Sequence, residues 1–345
     1  MSETERVLTG VRHGRTECRL VEPYVLSFAT ITAISSLWAV VEDDRGRKGV
    51  GEAVPLPGYA DEEAEGIVRD FDLLCPLLEG KTVTAARTLL ASKAARRTFA
   101  VSALMSAIDL LAWPTPSSNA SIPIVFPLAA GGSPDNIVER IEAGFKRGYR
   151  HFKLKTGRNV EDDVACALAA GAALSRLGAT LRCDANQGYS FEAARRFCEE
   201  LGGACSEEFL WLEQPLAKDD WRGMERLCEE TALPLILDEP IYAAGDIDRA
   251  ASIGCAGVKL KLVKHHGMYA VLDLARRANG LGLEVVMGNG VSSDIGNYCE
   301  ALVVASEPAL FAPGAECNGF VKIAKPLCHQ GLAETGGSVV IKAAV

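Results

Sequence analysis

Five short apolar runs, each ending in a charged residue and each leading into a stretch of helical periodicity, constrain how this chain can fold. They are HFKLKTG at 151–157, TLRCDAN at 180–186, FLWLEQP at 209–215, LPLILDEP at 233–240 and GVKLKLVK at 257–264. In HFKLKTG the alternation has period two, so Phe152 and Leu154 share one face of a strand and Lys153 and Lys155 the other. Alone, that pattern suits a solvated edge strand. Its recurrence argues otherwise, because strand, polar end and helix repeat as a unit. IPIVFPLA upstream, with LEVVMGNG and ALFAPGAECNG downstream, brings the strand candidates to eight. Strands alternating with helices at this short period favour parallel pairing, and eight such units close into a TIM-type α/β barrel. The alternative is a doubly wound open sheet. That fold normally carries a glycine-rich phosphate loop, and PLAAGGSPD has neither the GxGxxG nor the GxxxxGK[ST] spacing.

Upstream of the repeat the pattern differs. Residues 4–19 and 33–42 read as strands, and DDRGRKG is a hairpin turn before VGEAVP. From Asp61 to Trp113 apolar residues recur at three- and four-residue intervals, the signature of helices. The expected organisation is an α+β domain over 1–113, a Pro- and Ser-rich linker at 114–121, a barrel over 120–320, and a tail at 321–345 that returns to pack on the first domain.

Composition narrows the function classes. The 345 residues carry 36 basic and 45 acidic side chains, a net charge of −9, with no block of lysine or arginine, so no nucleic-acid partner is expected. No apolar run is long enough to span a bilayer, so no membrane role is expected. The 11 cysteines include no CxxC pair and follow no apolar leader, which predicts reduced thiols in a cytoplasmic protein.

Successive strand ends carry Lys155, Asp184, Glu213, Asp238 and Lys261, at intervals of 29, 29, 25 and 23 residues. Each interval is the length of one strand–helix unit, so the five groups occupy equivalent positions at the C-terminal rim of a barrel, where active sites lie. Three carboxylates at one place repel one another and raise their own pKa values; a divalent ion removes the conflict. All-oxygen ligands favour a hard ion, Mg2+, with Mn2+ able to substitute. The two lysines come from opposite sides of the metal ligands. With Lys153 as an auxiliary charge, such a pair can take a proton from one face of a carbon and deliver one to the other, provided a lysine pKa is lowered. For a carboxylate substrate the metal would stabilise the enediolate left when the α-proton departs. Asn186 and Glu239 stand one step outside the ligands and are expected to orient them.

At these residues the sequence resembles the enolase superfamily, in its muconate lactonizing enzyme subgroup. The resemblance implies a capping α+β domain on a modified (β/α)7β barrel. Lys155 of the Lys-x-Lys pair matches the base, Asp184, Glu213 and Asp238 match the magnesium ligands, and Lys261 matches the opposing lysine. GVGEAVP at 49–55 and SALMSAIDLLAW at 102–113 resemble parts of the family's capping domain and the helix entering its barrel. The resemblance further implies a homo-oligomer, dimer or octamer, and a loop between the first two strands that covers the barrel mouth, which makes Tyr24 and Phe28 substrate-contact candidates.

Several positions depart from the family pattern. His265-His266-Gly267 stands where the family has GG, Ser292 stands where many members have glutamate, and Glu316-Cys317-Asn318 stands where dipeptide epimerases carry Asp-x-Asp for the substrate ammonium. His265, Asn289, Ser292, Glu316 and Asn318 are therefore the candidates for reading the distal end of a small-molecule carboxylate. The histidine that the mandelate racemase branch needs after strand seven is absent, which favours the two-lysine chemistry of a racemase, epimerase or cycloisomerase. A dehydratase acting on a hydroxy acid or hydroxyproline-like substrate is the alternative on the same site. A catalytically silent binding barrel would be expected to have lost a ligand or a lysine. A Schiff-base aldolase would have no use for three clustered acids.

Overall fold

The computed structural model describes residues 6–25, 30–56, 62–114, 116, 118–129, 131–202, 209–328 and 331–343. The chain opens with an antiparallel sheet in the order β1 (Leu8–Val25), β2 (Thr30–Asp43), β3 (Lys48–Ala53). The β2–β3 turn is held by Asp43, whose carboxylate accepts from the backbone N–H of Arg45 and Arg47 at 3.0 and 2.9 Å. β1 runs further than its alternation predicted, with a register irregularity between Arg19 and Tyr24. The reason is tertiary: Val21 N–H donates to the Lys322 carbonyl and Ala324 N–H to the Arg19 carbonyl, so the strand is paired by the far end of the chain.

Three helices follow, α1 (Ala64–Leu78), α2 (Val83–Ala91) and α3 (Thr98–Leu110). α1 buries Ile67, Phe71, Leu74 and Leu78, one stripe at helical spacing. α3 is apolar nearly all round and lies directly on β3. The glycines of GVGEAVP permit that approach, since a Cβ on Gly49 would stand 1.9 Å from the Ala107 carbonyl oxygen and one on Gly51 2.0 Å from that of Ala103.

The barrel strands are β5 (Val125–Leu128), β6 (His151–Lys155), β7 (Thr180–Asp184), β8 (Phe209–Glu213), β9 (Leu235–Leu237), β10 (Gly257–Leu260) and β11 (Glu284–Met287). They form one parallel sheet in sequence order. The helices between and after them are α4 (Pro134–Lys146), α5 (Val160–Leu177), α6 (Phe191–Gly202), α7 (Trp221–Glu230), α8 (Ala244–Ser252), α9 (Met268–Gly280) and α10 (Asp294–Ser306). Of the eight strand candidates, ALFAPGAECNG does not form a regular strand. It still closes the ring: Ala312 and Glu316 N–H donate to Val285 and Met287 of β11, while Val125 N–H of β5 donates to the Ala315 carbonyl. Pro313 and Gly314 interrupt regular pairing there. The fold is thus a modified (β/α)7β barrel with an antiparallel cap.

The tail divides. Its first part lies along β1, and its last forms the hairpin β12 (Leu332–Thr335) and β13 (Ser338–Ile341), whose β13 pairs with β4 (Ala120–Pro123) at the entry to the barrel. Among the described residues no helix is long and apolar enough to cross a membrane.

Candidate active site

Inside the barrel, Trp211, Ile236, Val286 and Ala312 form an apolar layer. Arg182 extends across it with its guanidinium 5.0 Å from the Trp211 ring, donating to the Pro313 carbonyl at 2.7 Å. Towards the strand ends the inward positions become ionic. Register places Lys155 beside Asp184, and Asp184 beside Glu213, while Asp238 and Lys261 lie one residue past β9 and β10. Asp184, Glu213 and Asp238 are all but inaccessible, at 1%, 0% and 1% exposure, so each must be paired to remain charged.

Lysines supply the pairing. Lys155 Nζ donates to Asp184 Oδ2 and to Asn186 Oδ1, both at 2.6 Å. Lys153 Nζ lies 2.8 Å from Asp184 Oδ2 and donates to Glu213 Oε2 at 3.0 Å and Glu316 Oε1 at 2.7 Å. Lys259 donates to Glu213 and lies 2.9 Å from Glu316 Oε1. Lys261 Nζ donates to Asp238 Oδ2 at 2.6 Å, and Lys264 Nζ to the Asp238 carbonyl at 2.7 Å. A Cβ on residue 288 would fall 2.3 Å from Lys259 Cδ, so Gly288 makes the room in which Lys259 lies.

The protonation chemistry is polarised across this cluster. Burial alone would lower Lys153, but Asp184, Glu213 and Glu316 outweigh it and hold the ammonium well above its usual value. Burial likewise opposes the charge on Asp184, and Lys153, Lys155 and Lys259 reverse this, keeping it well below the usual carboxylate range. Glu213 is pushed up to about 7 by burial and by the neighbouring Asp184. Lys261 moves the other way: burial, reinforced by the Lys264 ammonium, lowers it well below the usual lysine value even with Asp238 beside it. One end of the site therefore has a lysine held charged and the other a lysine biased towards the free amine.

The remaining predicted residues separate into two groups. Asn186 touches one of the three acids and Glu239 is linked to it through Asn186: Asn186 N–H donates to Asp184 Oδ1 at 2.9 Å, and its side-chain amide donates to Glu239 Oε1 at 3.3 Å. Glu239 is pushed up to about 8 by burial and by Asp238. Asn289 and Asn318 line the cavity at the mouth. Asn289 is held from behind by Glu300, which accepts from its amide at 2.7 Å, and Asn318 donates to the Val125 carbonyl at 2.8 Å.

His265 does not reach the cavity. Its Nδ1 accepts from the Lys261 N–H at 3.0 Å and its Nε2 donates to the Ile241 carbonyl at 3.2 Å, and burial pushes it down to about 3; it braces the turn that carries Lys261. Ser292 also stays off the cavity lining, its N–H capped by Asn289 Oδ1 at 2.9 Å. Glu316 is at the mouth but engaged by Lys153 and Lys259. Tyr24 sits in β1 opposite Ile31; its side chain and all of Phe28 lie outside the described residues.

Sequence reading missed Lys264 and Gln214. Gln214 is fully buried, accepts from Asp238 N–H at 3.0 Å and donates to the Leu216 carbonyl, tying the ends of β8 and β9 together. The KLVK and EQP spacings were the available signals. No pattern announced that Asn186, Gln187, Gln214 and His266, at φ of 42°, 65°, 37° and 57°, are the non-glycine residues with positive φ among those described. All four follow the barrel strands at the mouth, where backbone strain is tolerated only if the surroundings enforce it.

Asp184, Glu213 and Asp238 offer oxygen donors on three successive strands, the donor set of a hard divalent ion. Glu239 adds a buried Oε2 with no hydrogen-bond partner among the described residues. In this structure lysine nitrogens take up those oxygens, and no cluster of three acidic, histidine or cysteine side chains among the described residues is arranged to hold an ion as it stands. The donor chemistry fits such an ion.

Fold and site together define a capped (β/α)7β barrel with a lysine- and carboxylate-lined mouth. Residues 136–340 match the family model described as enolase C-terminal domain-like, and the chain belongs to the enolase superfamily, in its muconate-lactonizing and racemase–epimerase subgroup. It is similar to the N-succinyl-L-Arg/Lys racemase of Bacillus cereus, at 26% identity over 89% of this chain and 86% of the relative. It superposes on the muconate lactonizing enzyme of Pseudomonas fluorescens, solved with muconolactone, with a TM-score of 0.84 at 25% identity, over 99% and 95% of the two chains. It shares the fold of a dipeptide epimerase from Enterococcus faecalis, solved with Mg and the dipeptide L-Leu-L-Tyr, with a TM-score of 0.83 at 18% identity, over 98% and 97%.

Proposed function

We propose that this protein is a magnesium-dependent racemase or epimerase that removes the α-proton of a small carboxylate substrate and returns a proton to the opposite face. The observation that carries the reading is the placement of Lys155 and Lys261 at strand ends on either side of Asp184, Glu213 and Asp238. A divalent cation bound by those three acids, taking the oxygens the lysines now occupy, would supply Lewis-acid stabilisation of the charge that grows on the substrate carboxylate.

The remaining work belongs to the chain. Lys261, biased towards the free amine by burial and Lys264, is suited to accept the α-proton. Lys155, whose Nζ is oriented by Asp184 and Asn186, is suited to donate from the other side, and with the proton inventory exchanged the roles reverse. Lys153 contributes fixed positive charge between Asp184 and Glu316. The Bacillus cereus relative acts on N-succinyl amino acids, which makes N-acyl amino acids the first substrates to try.

The test is incubation with Mg2+ in D2O against N-acyl amino acids, dipeptides, proline derivatives and unsaturated diacids. Deuteration at the α-carbon with inversion and no change of composition is expected, and Lys155→Ala or Lys261→Ala should abolish it. Loss of water would select dehydration, and a changed skeleton at constant mass would select cycloisomerisation. No exchange with either Mg2+ or Mn2+ would overturn the proton-abstraction reading for these substrates.

A further inference from the structure

On the face of the barrel opposite the mouth, two thiols from neighbouring strand–helix units are in contact. Cys228 Sγ lies 3.9 Å from Cys255 Sγ, and the two residues are 27 apart in the chain. Cys228 stands in the last turn of α7, and Cys255 in the turn between α8 and β10. Both are places where a helix hands back to a strand, hence at the N-terminal ends of the barrel strands. In this architecture the chemistry is sited at the other end, and groups at this end serve stability.

Backbone fixes both thiols. The Thr231 N–H and hydroxyl donate to the Leu227 carbonyl at 3.1 and 2.8 Å, closing α7 just beyond Cys228. Cys255 follows Gly254, whose φ of 82° turns the chain alongside α7, and a Cβ at 254 would stand 3.6 Å from Cys228 Cβ. The Cys255 N–H donates to the Ala250 carbonyl at 3.1 Å, and the Ala256 N–H to the Leu235 carbonyl of β9 at 2.8 Å. The two thiols are also unequal. Cys228 is half-buried and Cys255 buried, so a solute in water meets Cys228 first. Burial penalises a thiolate more at Cys255, so Cys255 is the donor of the contact. Donation to Cys228, together with burial, holds the proton on Cys255, and the same bond draws the Cys228 thiol below its usual value. An accessible thiol biased towards the thiolate, with a second thiol against it to resolve the product, is the arrangement that makes a cysteine sensitive to oxidants.

We propose that Cys228 and Cys255 form a modification site: a peroxide converts the pair to a disulfide that staples α7 to the turn before β10. The Cys228 thiolate attacks one peroxide oxygen, the O–O bond breaks, and hydroxide leaves as water with the proton Cys228 gave up, which leaves a sulfenic acid. The Cys255 sulfur then attacks the Cys228 sulfur, the S–O bond breaks, and hydroxide leaves with the Cys255 proton as a second water. Each thiol loses one electron and the peroxide gains two. The loop so closed holds β9, Asp238 and α8, so the bond restrains the unfolded chain around one strand of the site without touching the mouth. The inference stands on the thiol pair and is independent of the reaction proposed above.

The experiment treats the reduced full-length protein with graded hydrogen peroxide, blocks the remaining thiols with N-ethylmaleimide and maps the peptides by mass spectrometry. The expected result is a cross-link from 228 to 255 with loss of both thiols, reversed by dithiothreitol, and a higher urea midpoint for the oxidised form. Cys255→Ser should stop at a sulfenic acid on Cys228, trapped by dimedone, and Cys228→Ser should leave Cys255 unmodified at the same dose. Cys198→Ser, which removes a buried thiol of α6, should leave the cross-link in place. A pair still reduced at doses that oxidise the exposed Cys328, a sulfenic acid that persists on Cys228 in the wild type, or a cross-link from Cys228 to Cys198 overturns the site. A cross-linked form no more resistant to urea than the reduced one overturns the staple.

Discussion

Two sets of buried carboxylates, one at the barrel mouth and one at the seam between cap and barrel, are satisfied by different donors. At the seam, Asp109 of α3 accepts from the N–H groups of Met268 and Tyr269 at 2.7 and 3.2 Å, the first turn of α9. Glu52 of β3 accepts from Ser293 and Gly296 N–H at 3.0 and 2.9 Å, the start of α10, and from the Ser36 hydroxyl. Apart from the Ser36 hydroxyl and the Arg87 guanidinium 2.5 Å from Asp109 Oδ1, these donors belong to helix N-termini, whose unsatisfied N–H groups and dipole favour an acid and cannot swing away. At the mouth the donors are lysine ammoniums on four-carbon stems. They pair with Asp184, Glu213 and Asp238, yet they can be displaced by another cation or give up a proton. Acids bound by backbone hold domains together. Acids bound by lysine remain available for chemistry.

The largest expected effect that would break this comparison lies at the mouth. Lys155→Ala should lower α-proton exchange by about 10³-fold or more while circular dichroism stays that of the wild type. Exchange surviving in that variant would move the chemistry elsewhere. Next in size is the metal effect. Mg2+ at a hundred times its Kd should raise unfolding free energy by about 2.7 kcal/mol, seen as a higher urea midpoint, and chelation should reverse it. Asp184→Asn should lose that increment and Glu52→Gln should keep it; the opposite pattern would place the ion at the seam.

A smaller change is expected from Glu52→Ala, which leaves the amides of Ser293 and Gly296 without their acceptor. It should cost about 2 kcal/mol of stability with exchange per folded molecule unchanged. A loss of exchange without a loss of stability would mean the seam acts directly on catalysis. The smallest effect concerns pH. Burial holds His265 down at about 3 in the folded protein, against an unfolded value near 6.5. The folded state therefore refuses a proton that the unfolded state accepts. The stability contribution is complete above about pH 6.5 and is lost as pH falls towards 3, by at most about 1.4 kcal/mol per unit. Urea midpoints across that range should fall more steeply for wild type than for His265→Gln. Parallel slopes would show that the turn behind Lys261 admits the proton.

Much of the barrel was legible because strand alternation and a constant unit length make strand ends equivalent positions. Lys155, Asp184, Glu213, Asp238 and Lys261 could be brought to one rim on that basis. Where side chains pair across the barrel, legibility ended. Lys259 and Lys153 converge on both Glu213 and Glu316, although Glu316 lies 163 residues beyond Lys153. Nothing local marks Glu316 as their partner rather than a reader of substrate. The positions of His265 and Ser292, off the cavity lining, were not legible for a related reason: after a strand the chain turns within two or three residues, and a single backbone angle decides whether a side chain enters the cavity or braces the loop. The closing segment 312–316 escaped its strand reading because its pairing comes from both neighbours and not from its own propensity.

What the sequence determined by itself is periodicity and order: which residues alternate inward, which groups end each strand, and in what succession the units are laid down. These follow from strand and helix geometry acting over a few residues. Tertiary structure decided which ammonium meets which carboxylate, which lysine burial biases towards the free amine, and that Cys228 of α7 meets Cys255. Those outcomes depend on ring closure and on exclusion of water, and both come from parts of the chain far apart in sequence.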